Sequence, residues 1–238
     1  MKIFDTSRPL PKYLQMHSKI HEIIMFVLTF IVVPIASILV ITHACTSVGL
    51  RVVQTTASKL AWHNGKFPEV YVWGIMNVAL YTYLFIINLD SHQYSKPAKI
   101  TFYVILGIAA GLLLGGFCVP LPLEYAENIQ LHKLHNNLVT AGFSLFVAVQ
   151  GLMCITTFFR NIKQALIFAG WTCFFIATGV WAIPQVNAPD SHAFITVSIQ
   201  MYVFAMMEIY FFLNYCFGKL YSYNPPFKRK SEQNSTAE

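Results

Sequence analysis

The stretch HEIIMFVLTFIVVPIASILVITH, residues 21–43, decides the fold. A helix needs about 20 predominantly apolar residues to cross the hydrocarbon core of a bilayer, and this run is long enough. It is too long, and lies too far from the first residue, for an ordinary cleaved signal peptide. The stretch therefore predicts a retained helix that anchors the chain in a membrane.

Five more apolar segments follow, and each is long enough to cross a bilayer. They lie near residues 70–89, 100–121, 137–158, 164–184 and 194–217. The apolar runs are continuous rather than alternating, which favours helices over the strands of a membrane barrel. The sequence predicts an all-α, polytopic membrane protein. Residues 1–222 would form a bundle of six transmembrane helices, and residues 223–238 a disordered, polar and basic tail.

The overall composition agrees with a chain that is solvated mainly by lipid. Of its 238 residues, 56% are hydrophobic and 11% are charged, and the mean hydropathy is +0.55. A soluble domain carries about 25% charged residues. The net charge of +6 is therefore better explained by membrane orientation than by binding of nucleic acid, and we expect no nucleic-acid partner.

The distribution of Lys and Arg predicts the orientation of the six spans. If the N-terminus is inside, twelve Lys and Arg residues lie on the inner side and four on the outer side. Such an excess is typical of cytoplasmic segments. The sequence thus predicts that both termini, including the tail at 223–238, face the cytoplasm. The protein would reside in the plasma membrane or an endomembrane.

Polar residues collect on the predicted outer side, most densely in LHKLHNNL, residues 131–138. On a helix, His132 and His135 share one face. With a carboxylate from Glu127 or Asp190 they could hold a metal. The stretch lacks an HExxH pattern, however, so hydrogen bonding is favoured, and neither a metal nor another cofactor is expected. The candidate outer-face cluster consists of Glu69, Asn77, Glu127, His132, His135, Asp190 and His192.

The outer loops are expected to form one cap over the bundle. Segment 44–69 would pack with 121–136 and 185–193, burying Trp62, Phe67 and Tyr125. His135 would point partly into the bundle and bond to Asn77 or Glu69, in an orienting role.

Cys45 and Cys118 lie near the outer ends of the first and third spans. They could form a disulfide in an oxidising compartment. The alternative is two unpaired thiols that serve as small packing residues.

Glu208 is the acidic residue that the sequence places deep inside a span. A carboxylate in hydrocarbon costs several kcal/mol unless it is paired, protonated or facing water. Gln150 lies at a comparable depth and could donate a hydrogen bond to it. Handling of a proton or substrate and structural bonding between helices both remain open. No second buried acid completes a relay, which counts against a pump.

Two further features concern helix packing. Gly107, Gly111 and Gly115 recur at every fourth position, a spacing that lets helices approach closely in lipid. We expect this stripe to pack inside the bundle. Pro34 is expected to kink the first span, because proline removes a backbone donor.

The segment SKLAWHNGKFPEVYVWGIMN, residues 58–77, resembles the DRAM/FRAG/SFK-type family of six-helix membrane proteins (damage-regulated autophagy modulators and relatives) and a related bacterial six-helix family. The similar positions are Ser58, Pro68, Glu69 and Asn77, with His135 before the small and aromatic residues of TAGFSLF. The resemblance implies six helices, residence in lysosomal, Golgi or plasma membranes, and handling of lipids or lipid anchors. A rival likeness, to seven-helix zinc hydrolases such as alkaline ceramidases, fits poorly because their late-helix HxxxH is missing.

The sequence thus favours a multipass, non-enzymatic membrane protein that binds or organises lipid, or regulates a membrane-protein partner. One alternative is a metal-dependent hydrolase at the outer face, built on His132 and His135. Another is a transporter that uses Glu208.

Overall fold

The computed structural model describes residues 3–5, 14, 18–52, 55–122, 128–160, 162, 165, 166, 169–171, 173, 174, 177 and 197–222. This part of the chain is helical and contains no β-strand, and its one isolated β-bridge joins Phe4 to Tyr94. The predicted all-α class is confirmed for these residues.

The helices follow the predicted apolar segments. They are α1 (Ser18–Val27), α2 (Val33–Thr46), α3 (Ala57–Trp62), α4 (Phe67–Ser91), α5 (Lys96–Cys118), α6 (Ile129–Arg160) and α7 (Val197–Ser222), with a π-helical turn at Leu28–Val32 that joins α1 to α2. Within the described residues, four stretches are long and apolar enough to cross a membrane: Lys19–Thr46, Phe67–Ser91, Lys96–Cys118 and Ile129–Phe159. They match the first four predicted segments. Most of the fifth, 164–184, lies outside the described residues, as does the tail at 223–238. Helix α7 overlaps most of the sixth, but it is not among the four stretches that are long and apolar enough to cross a membrane.

The π-helical turn occurs just before Pro34. Proline has no N–H to donate to the carbonyl four residues earlier, so the α-helical ladder is interrupted there. The Val33 N–H instead bonds to the Leu28 carbonyl, one residue further back than in an α-helix. The irregularity expected at Pro34 therefore takes the form of a single wide turn, as is frequent at functional sites.

The first residues of helices α3 and α5 are fixed by local capping. Thr56 caps α3 by accepting from the Lys59 N–H at 3.2 Å. Ser95 caps α5 in the same way, and Pro97 occupies the first turn, where a missing N–H costs nothing. The polar loops thus stop and restart the helices at defined residues.

Helices α5 and α6 approach each other closely at Gly116 and Gly142. A Cβ on Gly142 would lie 2.5 Å from the Leu113 nitrogen, and a Cβ on Gly116 would lie 2.9 Å from the Val139 nitrogen. Small residues at such crossings let the backbones touch.

The stripe of Gly107, Gly111 and Gly115 has a different environment from the one predicted. All three are exposed, and no atom of the described residues lies within 4 Å of the Cβ that any of them would carry. The prediction that the stripe packs inside the bundle is wrong for this part of the chain. Glycines at every fourth position show that one face of the helix carries small residues. They do not show whether another helix packs against that face.

Helix α4 lies at the centre of the fold. The Tyr81 hydroxyl donates to the Phe146 carbonyl of α6 at 2.9 Å, and the Asn88 amide donates to the Phe211 carbonyl of α7 at 2.8 Å. Both side chains are fully buried. Helix α4 is therefore tied by hydrogen bonds to the helices on two sides.

The N-terminal residues lie at the same end of the bundle as the turn between α4 and α5. The Ser95 N–H donates to the Ile3 carbonyl at 2.8 Å, and the Asp5 N–H donates to the Gln93 carbonyl at 2.9 Å. Asp90 and Lys99 form an ion pair nearby. This end of the bundle is the one that the charge pattern assigns to the cytoplasm.

Candidate functional site

A half-open cleft of about 200 Å³ lies between α2, α4 and α7. Its apolar lining comes from Val33, Pro34, Ile38, Met201 and Ala205, and its polar lining from Ser37, Asn77, Tyr202 and Glu208. Ile38 is 54% exposed on the helix surface, so the cleft opens sideways, in the direction that lipid would occupy. A concave, mostly apolar site with a few polar groups is the usual form of a small-molecule site.

Glu208 lies at the closed side of this cleft. The residue is 1% exposed, and its Oε1 has no hydrogen-bond partner among the described residues. The hydrogen bond predicted from Gln150 is not formed, since no bond joins the two side chains. A buried acid that lacks a hydrogen-bond partner costs free energy, so its presence here calls for an explanation.

Asn77 contributes to the same cleft, from the third turn of α4. Its Nδ2 donates to the Trp73 carbonyl at 2.7 Å and to the Ser37 Oγ at 3.4 Å. The sequence assigned Asn77 to the outer-face cluster and Glu208 to a separate site within the membrane. The structure brings both residues to one cleft, where the Asn77 amide bonds to Trp73 and Ser37.

The polar side of the cleft offers hydrogen-bond acceptors as well as the hydroxyl groups of Ser37 and Tyr202. Both amide donations of Asn77 are used, which leaves its carbonyl oxygen and the Glu208 carboxyl group. Ser37 adds a hydroxyl. This arrangement suits a ligand that has an apolar body and a hydroxyl or amino group at its end.

His135 lies on α6, among the outer segments. It is 1% exposed, with Nδ1 2.7 Å from the Val119 carbonyl and Nε2 2.8 Å from the Ser58 Oγ. A carbonyl oxygen only accepts, so Nδ1 carries a proton. In the neutral imidazole, Nε2 then accepts from the Ser58 hydroxyl.

The partners predicted for His135 were wrong, although it is buried. Asn77 bonds within the cleft, and Glu69 forms a part-exposed ion pair with Lys66 at 3.7 Å. Such a pair contributes little to stability. Val119 and Ser58 are distant from His135 in the sequence, so no local pattern shows that they would contact it.

His132 is less deeply placed than His135, one turn earlier on α6. Its Nδ1 accepts from the Asn136 amide at 3.0 Å. No group of three His, Cys, Asp or Glu residues within the described ranges is placed to hold a metal. Glu127, Asp190 and His192 lie outside the described residues, so the complete predicted outer-face cluster is not brought together here.

Segment 44–69 folds over the outer ends of the helices. The Trp62 indole donates to the Phe117 carbonyl at 3.0 Å, and the His63 Nε2 donates to the Pro122 carbonyl at 3.0 Å. The Ala57 N–H donates to the Gln200 side chain of α7 at 3.1 Å. The bond of His63 to Pro122 confirms the predicted contact with 121–136, while the bonds of Trp62 and Ala57 reach α5 and α7 instead.

The aromatic part of the predicted cap is present but not deeply buried. Trp62 and Phe67 are half-buried, with ring centroids 4.9 Å apart. Tyr125 and segment 185–193 lie outside the described residues.

The structure has Cys45 and Cys118 as free thiols. Cys45 is fully buried and Cys118 is exposed. The disulfide that the sequence allowed is not formed, and the alternative of two unpaired thiols describes both residues.

The roles of two site residues, Ser37 and Ser58, could not be predicted from the sequence. Ser37 looks like a small packing residue in an apolar run, and its proximity to Asn77 depends on how two spans pack. Ser58 was noted through a family resemblance, but not as a partner of His135. Residues 77 positions apart in the chain give no local signal of contact.

Comparison with known proteins gives no relative from which a role could be transferred. No family model matches the chain, and neither a curated protein nor a solved structure matches it.

Proposed function

We propose that the chain is an integral membrane protein with six spans and both termini in the cytoplasm. Four spans long enough for a bilayer support this, together with the twelve-to-four distribution of Lys and Arg. The contacts of residues 3–5 with the turn at 93–95 agree with it, since both would lie on the inner side. A reporter fused to the C-terminus is expected to remain cytoplasmic, and a lumenal or extracellular reporter would disprove the orientation.

We further propose that the protein binds a membrane lipid in the cleft between α2, α4 and α7. The observation that carries the proposal is Glu208, a buried carboxyl group that lines an otherwise apolar cleft and has an oxygen without a partner. A lipid that donates a hydrogen bond from a hydroxyl or amino group would satisfy this oxygen. Its apolar portion would leave the cleft past Ile38 towards the bilayer.

The test is whether a large side chain introduced into the cleft reduces the amount of lipid that the purified protein retains. Ala205 lines the cleft, so Ala205→Trp is expected to displace the ligand. Ala79→Trp is the matched control, because Ala79 is exposed on α4. Mass spectrometry of purified protein should find one lipid species that falls at least about tenfold in Ala205→Trp and is unchanged in Ala79→Trp. A tenfold change corresponds to about 1.4 kcal/mol of binding. Equal lipid content in both variants would argue against the site.

The two alternatives raised by the sequence are less well supported. A metal-dependent hydrolase would need His135 as a ligand, yet both of its ring nitrogens are engaged by Val119 and Ser58. A transporter that moves protons through Glu208 would need a second titratable group along its path. No second carboxyl group and no histidine lines the cleft among the described residues.

The resemblance to DRAM/FRAG/SFK-type proteins is consistent with lipid binding and stays a prediction. So do a membrane-protein partner and residence in the plasma membrane or an endomembrane. The lipid proposal rests on the cleft and not on this resemblance.

A further inference from the structure

Ser58, His135 and the Val119 carbonyl form a linear chain of hydrogen bonds at the outer end of the bundle. The Ser58 Oγ is 2.8 Å from Nε2 of His135, and Nδ1 of the same ring is 2.7 Å from the Val119 carbonyl oxygen. A hydroxyl, a base and a group that orients the base, each within hydrogen-bond reach of the next, are the components of an activated serine nucleophile. From this geometry we propose that Ser58 is an acyl-accepting nucleophile with His135 as its general base.

The Val119 carbonyl determines which nitrogen of His135 can act as the base. Because the carbonyl oxygen only accepts, the proton of the neutral ring stays on Nδ1. The lone pair of Nε2 therefore points at the Ser58 hydroxyl and can receive its proton. Val119 is thus a positioning residue that fixes the tautomer, a task that a carboxylate performs in the familiar serine triad.

The base is more deeply buried than the nucleophile. His135 is 1% exposed, so bulk water does not compete for its nitrogens. Ser58 is half-buried, so it is less enclosed than His135. A buried base beside a less buried serine is a combination suited to chemistry at Ser58.

The location of the group indicates the class of substrate. Ser58 lies on α3, shortly before α4 begins; Val119 directly follows α5; and His135 lies in the second turn of α6. The apolar portions of these helices start or end at this level, which in a bilayer is the boundary between hydrocarbon and headgroups. The ester bonds of acyl lipids lie at the same depth. The substrate class is therefore a membrane lipid with an ester-linked acyl chain, and water is the second substrate.

The reaction balances without a further reagent. The Ser58 Oγ bonds to the ester carbonyl carbon while its proton passes to Nε2 of His135. The carbon–oxygen bond to the lipid alcohol then breaks, and the alcohol leaves with that proton. Water next bonds to the acyl carbon and gives a proton to Nε2. The Ser58 Oγ leaves and takes this proton back, releasing a carboxylic acid.

A fluorophosphonate probe tests the proposal on the full-length protein in lipid nanodiscs. An activated serine displaces fluoride from the probe and keeps the phosphonyl group, which peptide mass spectrometry locates. We expect modification of Ser58 and none in Ser58→Ala. Ser47→Ala should label as the unsubstituted protein does, because the Ser47 hydroxyl bonds to the Ala44 carbonyl at 2.9 Å and has no base.

His135→Asn separates catalysis from structure. The Asn amide nitrogen can take the place of Nδ1 and keep the bond to Val119, while the base at Nε2 is lost. General base catalysis contributes about 10²–10⁴-fold, so labelling of Ser58 should slow by at least about 100-fold. Equal labelling rates in His135→Asn and the unsubstituted protein would overturn the proposal. So would an unlabelled Ser58 in the folded, unsubstituted protein, a result that does not depend on any variant folding.

Discussion

Gly142→Ala is expected to cause a larger loss of stability than any other alanine substitution of a glycine in the described residues. The new Cβ would lie 2.5 Å from the Leu113 nitrogen and 2.9 Å from the Ala109 carbonyl oxygen. Both are backbone atoms of α5, so no side-chain rotation can relieve the contact. Overpacking costs about 1–3 kcal/mol, and the upper end applies because α5 and α6 must separate along their length.

The measurement is thermal unfolding of the purified protein in detergent, followed by tryptophan fluorescence. Gly107→Ala is the matched control on the exposed face of α5, where no described atom lies within 4 Å of the added methyl group. A glycine-to-alanine change inside a helix stabilises it by about 0.5–1 kcal/mol, so this control should melt at the same temperature or slightly higher. Similar losses in both variants would mean that the close crossing of α5 and α6 is not as described.

Glu208→Leu is expected to stabilise the lipid-free protein. The carboxyl group is 1% exposed with an oxygen that no described residue satisfies, and leaving such a group unpaired costs about 1–3 kcal/mol. An apolar side chain of similar size removes that cost and packs against Met201 and Ala205 of the cleft. The same substitution should abolish retention of the lipid, so stability and binding should change in opposite directions.

Asn88→Leu provides the contrast for this measurement. Asn88 is also a fully buried polar residue, but its amide donates to the Leu84 and Phe211 carbonyls, both at 2.8 Å. Its loss removes a bond between α4 and α7 and should lower the melting temperature. If Glu208→Leu lowers it as well, Glu208 has a structural partner and the proposal of a ligand there loses its basis.

Local properties of the sequence located the long apolar helices, but not the short α3 or the start of α6, which begins at Ile129 rather than near residue 137. The predicted segment 70–89 became Phe67–Ser91, and 100–121 became Lys96–Cys118, with errors of two to four residues at the ends. Apolar length is a property of consecutive residues, and the caps at Ser95 and Thr56 are equally local. The remaining boundary errors reflect the polar turns that extend helices beyond their apolar part.

The sites depended on contacts between distant segments, which single-sequence patterns do not contain. The burial of His135 could be inferred from its neighbouring leucines, but its partners come from α3 and from the end of α5. Asn77 and Glu208 each looked noteworthy alone, and only the packing of α4 against α7 makes them neighbours in one cleft. Glycine spacing likewise drew attention to Gly111, whereas the close crossing of α5 and α6 uses Gly142.

The π-helical turn at Leu28–Val32 sets the rotational phase of the first span. Apart from Ala44, the buried residues in this span recur every four positions: Met25, Thr29, Val33, Ser37, Ile41 and Cys45. In an uninterrupted α-helix a four-residue step overshoots one turn by about 40°, so five steps would turn this row by about 200°, onto the opposite face. Because a π-helical turn contains more residues than an α-helical turn, it reduces this rotation of the buried row.

The direction in which Ser37 points is therefore set by main-chain geometry two turns before it, not by its own side chain. Each residue of an α-helix corresponds to about 100° of rotation. Deleting or inserting one residue within Leu28–Val32 would swing Pro34 and Ser37 away from Asn77 by about that angle. The cleft would be dismantled while every residue that lines it stayed unchanged, so the length of this turn is as much a part of the site as the carboxyl group of Glu208.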